Sequence, residues 1–274
     1  MSENVHALNY VDVHTHLTHK DFDADRDLVV DRAAKSQLKA IIVNGLSASS
    51  NKQVIELCQK HSILKPALGV YPTEAAAAVL PPDYPYSLER FDMEAELQSI
   101  REHAKNGDLV AIGECGLDGH LLGESTFAEQ ERVFLRLIEI ASEFKLPVIV
   151  HSRKREQRTC EILLHHGIEK VNMHCFTGKT KLAVDVATSR QWCFSIPAHI
   201  ARSHSFQKLS RDLPPDCILT ETDAPYLGPD PGQRNEPASV VRTVDSIAKL
   251  RKTEPEDMVL LIWKNYQRMF DNHE

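Results

Sequence analysis

The fold class this sequence predicts is a (β/α)8 barrel of α/β type, and three observations predict it. Eight apolar, β-branched runs recur along the chain, at residues 10–13, 40–44, 63–70, 109–113, 147–150, 170–173, 191–196 and 217–220. Helix-like patterns follow most of them, and continuously apolar strands spaced by helices point to a parallel sheet covered on both faces. A length of 274 residues is long for an ordinary domain but normal for one such barrel, so residues 1–274 are expected to form a single domain. An open doubly wound sheet would need a glycine-rich phosphate loop after its first strand. This chain has His14-Thr15-His16-Leu17 there instead.

Composition narrows the class of protein. Hydrophobic residues make up 42% and charged residues 26%, as in a globular chain with a large core. No apolar run approaches the ~20 residues that cross a bilayer, so no membrane partner is expected. Residues 1–9 lack a basic stretch followed by an apolar one, so no secretory signal is expected. The six cysteines are scattered and form no C-x-x-C pair, which argues against a disulfide framework or a thiolate zinc site and suits a reducing cytoplasm, the expected location. The formal charge of −7 opposes extended binding along a nucleic-acid backbone. A polyanion would have to be met locally, by divalent metals and a few arginines in a cleft.

Taken in order, the first run ends in His14-Thr15-His16. Side chains alternate on a strand, so His14 and His16 share a face and Thr15 takes the other. Residues 71 to 91 hold several prolines and an alanine run and read as a long loop over the barrel mouth. The fourth run, Ala111-Ile112-Gly113, leads into Glu114. Residues 127 to 144 carry apolar positions at 133/134, 137/138 and 140/141, the spacing of an amphipathic helix. The fifth and sixth runs lead into His151 and His174. The eighth leads through Glu221 to Asp223, and residues 228 to 237 read as an ordered proline-rich loop. Residues 256 to 270 form a closing amphipathic helix with Met258, Leu261, Ile262, Tyr266 and Phe270 inward. There is no internal repeat or low-complexity tract.

In such barrels the reacting groups sit at the carboxyl ends of the strands. Five of the eight ends here carry a residue able to bind a metal. Each has a plainer reading: His14 a hydrogen-bonded core histidine, Glu114 a buried salt bridge, Asp223 a turn or cap aspartate before proline. One such ending means little; five together resist a packing explanation. Four histidines and two carboxylates without cysteine suit zinc, manganese or iron(II), with magnesium acceptable if the carboxylates and substrate oxygens carry most of the binding. Two divalent ions sharing a carboxylate would lie roughly 3.5–4 Å apart and supply a nucleophilic water near neutral pH.

The residues Val11-Asp12-x-His14-x-His16, Gly113-Glu114-x-Gly116-Leu117-Asp118, His151-Ser152-Arg153, His174-Cys175-Phe176-Thr177-Gly178, Glu221-Thr222-Asp223-x-Pro225 and Arg234-Asn235-Glu236-Pro237 resemble the TatD-type deoxyribonucleases, amidohydrolase-like metal-dependent hydrolases. The resemblance spans residues 11 to 237. It implies that His14, His16 and Asp223 bind one metal, that His151 and His174 bind the other, and that Glu114 bridges them. It further implies that Asp223 takes the proton from the attacking water. The implied activity is hydrolysis of DNA, often 3′→5′ on single strands, with magnesium or manganese. Arg153 and Arg234 are candidates to meet the substrate phosphate; the alternative for each is a salt bridge to Glu221 or Glu236.

Two departures from the family pattern bear on substrate choice. Where members often have Gly-x-His-Pro, this chain has Gly69-Val70-Tyr71-Pro72, leaving Tyr71 as a hydrogen-bond donor. After Asp118 it continues Gly119-His120-Leu121, and His120 is a second candidate for substrate contact, with an exposed loop histidine as its alternative. The other nine histidines, His19 among them, show no ligand-like placement. Two rival functions stand beside the nuclease: another ester or amide hydrolase on the same metals, such as a D-aminoacyl-tRNA deacylase, and an inactive barrel serving as a scaffold. Six intact ligands oppose the scaffold. Oligomeric state is open, and a monomer is compatible with the sequence.

Overall fold

The computed structural model describes residues 8–81, 83–85 and 88–271. Its eight strands are β1 Tyr10–Thr15, β2 Leu38–Asn44, β3 Leu64–Leu68, β4 Ala111–Gly116, β5 Val148–His151, β6 Val171–His174, β7 Cys193–Ile196 and β8 Ile218–Thr220. They form one sheet in the order β1 to β8, every neighbouring pair parallel. The helices are α1 Arg26–Lys35, α2 Ala48–Lys60, α3 Pro72–Ala75, α4 Met93–Asn106, α5 Phe127–Phe144, α6 Glu156–His165, α7 Thr180–Arg190, α8 His204–Asp212, α9 Val240–Arg251 and α10 Pro255–Phe270. This is the (β/α)8 barrel that the alternation of apolar runs and helical patterns predicts.

The strands are buried almost throughout because helices cover the outside and packed side chains fill the inside. Closure runs from the end of β8 back to β1. Thr220 Oγ1 donates to the Val11 carbonyl at 2.7 Å. The Thr222 amide and hydroxyl donate to the two Asp12 carboxylate oxygens at 2.9 and 2.5 Å. The Asp223 amide donates to the His14 carbonyl at 2.9 Å, which ties two strand ends of the barrel mouth together.

Local signals set the helix ends. Asp92 accepts the Glu94 and Ala95 amides at the start of α4, and Gly107, at φ +76°, ends it. In α5 the side chains of Val133, Phe134, Leu137, Ile138, Ile140 and Ala141 are buried, as the spacing predicts. In α10 Met258, Ile262, Tyr266 and Phe270 turn inward, while Leu261 is only half-buried. Each fully buried large apolar side chain contributes about 1.5–3 kcal/mol, so α10 is held by its packing rather than by its helix propensity.

Some boundaries depart from the sequence expectation. The strands β1 and β4 run on to Thr15 and Gly116, so His14 and Glu114 lie inside strands instead of just past them. In β4 the strand continues while its neighbour β5 offers partners: Cys115 pairs with Val150 and Gly116 with His151. The strand β8 ends at Thr220 as expected, which leaves Asp223 three residues beyond it at φ +54°. The expected loop from residue 71 opens with the short helix α3, because Pro72 sits where a missing amide hydrogen costs nothing. Residues 82, 86 and 87 of that loop lie outside the described residues. No described helix is long and apolar enough to cross a membrane.

Candidate metal centre

The six predicted ligands meet in one pocket at the carboxyl ends of the strands. Glu114, only 2% exposed, stands at its centre. Its Oε2 lies 3.3 Å from His14 Nε2 and 3.4 Å from His16 Nε2. Its Oε1 lies 3.1 Å from His151 Nδ1 and 3.1 Å from His174 Nε2. Asp223 Oδ1 lies 3.6 Å from His14 Nε2 and 3.3 Å from His16 Nε2. Gly69 and Gly116 make room for this crowding: a Cβ on Gly69 would come 2.3 Å from the Glu114 carbonyl oxygen, and one on Gly116 2.0 Å from that of His151.

The donor set fits divalent cations. Nitrogen and oxygen ligands about 2.1 Å from a common ion lie roughly 3–3.4 Å from one another, close to the spacings observed. His14 Nε2 and His16 Nε2 face each other at 3.1 Å, and a single proton cannot satisfy both rings and both carboxylates. His14, His16 and Glu114 form one group with metal-ligand spacing; Glu114, His151 and His174 form a second; His14, His174 and Asp223 form a third. Glu114 belongs to two of them. Hard carboxylates with borderline imidazoles and no thiolate suit zinc, manganese or iron(II).

Electrostatics follow from burial and proximity. Burial drives the His14 imidazole down to about 4, with His174 pressing the same way from a stacked ring 3.7 Å off. Burial alone would raise the Glu114 carboxyl, but His174 and His14 outweigh it and hold the group well below its ordinary value. Burial opposes protonation of His174, yet Glu114 and Glu221 push it well above the ordinary imidazole range. Asp223 is lowered: burial would raise it, and the His16 hydrogen bond and the imidazoles win.

Several polar groups that hold these ligands were not singled out from the sequence. Asp118 Oδ2 lies 2.8 Å from His151 Nε2, which leaves Nδ1 to face Glu114. Asp118 is itself fixed by the amides of His120 and Leu121 at 2.7 and 2.6 Å. Glu221, expected as a partner for arginine, instead faces His174 Nδ1 at 3.4 Å and accepts the Cys175 amide and the Ser195 hydroxyl. Asn172 in turn donates to Ser195 Oγ at 3.0 Å. His16 Nδ1 lies 3.2 Å from the Asn44 carbonyl. The available signal was a polar residue inside an otherwise apolar strand, such as Asn172 in Val171-Asn172-Met173.

The four substrate candidates divide. Arg153 is exposed beyond the end of β5, and no ion pair joins it to another described residue. The Tyr71 ring lies 4.9 Å from that of His151, at the pocket edge. His120 is exposed, and only its backbone amide reaches the site, through Asp118. Arg234 forms a two-pronged pair with Asp25 at 2.7 and 2.8 Å and lies over the Phe22 ring. The salt-bridge alternative thus describes Arg234, with Asp25 in place of Glu221 or Glu236. Glu236 pairs with Arg32 instead.

A parallel (β/α)8 barrel that gathers four imidazoles and two carboxylates at its carboxyl mouth has the architecture of the metal-dependent hydrolases. Comparison with known proteins agrees. The chain belongs to the TatD related DNase family, whose model matches residues 11–271. It is 33% identical over 268 residues to deoxyribonuclease TATDN3 of Homo sapiens, covering 96% of this chain and 95% of that one. It is 29% identical over 272 residues to the 3′-5′ ssDNA/RNA exonuclease TatD of Musicola paradisiaca, covering 94% of this chain and 97% of the relative. The fold is shared with YJJV, a TATD homolog from Escherichia coli, at a TM-score of 0.81, 24% identity and coverage of 96% and 98% of the two chains.

Proposed function

We propose that residues 1–274 form one barrel domain that hydrolyses phosphodiester bonds in single-stranded nucleic acid, DNA first, from the 3′ end, with two divalent cations. The relatives named as a deoxyribonuclease and as a 3′-5′ exonuclease support this reading. The observation that carries it is the placement of Glu114, whose two carboxylate oxygens each face a separate pair of imidazoles at 3.1–3.4 Å. One cation would be held by His14, His16 and Asp223 and the other by His151 and His174, with Glu114 shared. Such cations supply Lewis acidity and make water nucleophilic near neutral pH.

The chain's own groups account for the rest of the chemistry. Asp223 is ionised and, with its side chain 15% exposed, the most open of the site's acids. It is placed to take the proton that the attacking water loses. Burial, with Glu114 and Asp118 nearby, pushes the Tyr71 hydroxyl well above its ordinary range, so it stays protonated and donates a hydrogen bond to a phosphate oxygen. Arg153 offers a guanidinium fork to the same phosphate. This small cationic patch reconciles an acidic chain with an anionic substrate. The test is hydrolysis of 3′-labelled single-stranded DNA by manganese-loaded protein beside its Glu114→Ala variant, with D-aminoacyl-tRNA assayed in parallel. Cleavage by the first alone supports the reading, and DNA left intact by both removes it.

A further inference from the structure

Two aromatic rings stand beside the metal pocket, each delivered by a turn that starts at a candidate ligand. The His19 amide donates to the His16 carbonyl at 2.9 Å, and the Tyr226 amide donates to the Asp223 carbonyl at 2.8 Å. The two strand ends are themselves joined, since the His16 amide donates to the Ala224 carbonyl at 2.8 Å. Paired turns from paired strands bring the rings of His19 and Tyr226 to 5.6 Å between centroids, edge to face at 68°. Tyr226 is 52% exposed, one of the few large apolar side chains among the described residues so open to solvent.

Its backbone is held in place. Asn235, 2% exposed, donates from Nδ2 to the carbonyls of Thr222 and Tyr226 at 2.8 and 2.7 Å. Its own amide donates to the Pro225 carbonyl at 3.0 Å. Arg202 holds the next residues through the carbonyls of Gly228 and Pro229 at 2.6 and 3.1 Å. A large ring kept open to solvent on a backbone pinned from two sides is preorganised for an external partner. Two arginines on this side of the mouth are committed elsewhere, Arg26 to the Leu17 carbonyl and Asp23, and Arg234 to Asp25. The β1–β8 side therefore offers ring surface where the β5 side offers the Arg153 charge.

We infer that Tyr226, braced by His19, is a stacking platform for a nucleobase next to the phosphate being cut. The inference rests on the nuclease reading of the same pocket and adds to it how an acidic protein gains affinity for a single strand: through base faces, which a duplex hides. Stacking on an aromatic ring is tolerant of sequence, and losing it weakens binding roughly 5- to 150-fold per base. His19, which has no ligand-like spacing in the sequence, gains its role only from the turn that brings it to Tyr226.

The test is equilibrium binding of a fluorescent hexathymidylate, and of an abasic oligonucleotide of the same length, measured in EDTA so that turnover cannot intervene. The wild type should prefer the base-bearing strand. Tyr226→Ala should lose about ten-fold or more of that preference, and Tyr226→Phe, which keeps the ring face, should retain it. No preference in the wild type, equal preference in Tyr226→Ala, or loss in Tyr226→Phe matching that in Tyr226→Ala overturns the inference. Turnover in manganese is read separately. A protein that binds as described yet leaves DNA intact fails the nuclease reading and keeps the platform.

Discussion

His151 lies between two carboxylates, its Nε2 2.8 Å from Asp118 Oδ2 and its Nδ1 3.1 Å from Glu114 Oε1. A ring held at one nitrogen by a carboxylate presents the other in a fixed direction and with raised basicity. Asp118→Asn should therefore weaken metal binding by about 10–100-fold while leaving the barrel folded. Manganese titration by calorimetry, with circular dichroism as the control for fold, checks this. Unchanged affinity would limit Asp118 to ordering the loop at His120 and Leu121.

Asp223→Asn should preserve most of the structure, because the Asp223 amide, not its side chain, bonds the His14 carbonyl. Turnover should fall by about 10²–10⁴-fold from loss of the proton acceptor. Near-normal kcat on single-stranded DNA would remove Asp223 from that role.

Arg234→Ala separates a structural arginine from a phosphate-binding one. The guanidinium is spent on Asp25, the Asp21 carbonyl and the face of Phe22. The variant should melt at a lower temperature and keep the wild-type KM for DNA. Arg153→Ala should do the reverse, raising KM without lowering the melting temperature. A thermal melt and steady-state kinetics on both variants decide.

Asp12 closes the barrel from inside. Burial raises its carboxyl to about 8 despite three bonds from Thr222 and the His14 amide. A carboxyl raised in the folded state binds a proton there that the unfolded chain has already released. Stability of metal-free protein should accordingly fall as pH rises from about 4, the ordinary aspartate value, through about 8. Asp12→Asn cannot titrate, so its melting temperature relative to wild type should climb across that window. Parallel pH profiles for the two proteins would show that Asp12 is ionised throughout.

Chelation is a broader test of the pocket. A ligand that binds only the folded chain stabilises it by about 2.7 kcal/mol at 100 times its dissociation constant. EDTA should lower the melting temperature and added manganese restore it. A Glu114→Ala variant should show little of either shift.

Much of this site was legible in the sequence, for a physical reason. An imidazole or carboxylate on a buried strand stands out against an apolar run, as His151 does after Val148-Ile149-Val150 and Glu114 after Ala111-Ile112-Gly113. The period of two likewise places His14 and His16 on one face. Supporting groups were harder to see because their partners lie on other strands: Glu221 meets Ser195 and His174 only through the side-by-side pairing of β6, β7 and β8. The partner of Arg234 was hidden too, since Asp25 lies 209 positions away. His19 and Tyr226 could not be paired before two turns were seen to start from neighbouring strand ends. The short helix at Pro72 escaped because proline reads as a loop signal unless it falls in a first turn.

The proposed chemistry depends on one carboxylate, Glu114, serving two cations. Anomalous diffraction from a manganese-soaked crystal tests it most directly. Two peaks are expected, one beside Glu114 Oε2 with His14, His16 and Asp223, the other beside Oε1 with His151 and His174. A single peak, or peaks that leave Glu114 uncoordinated, would contradict it.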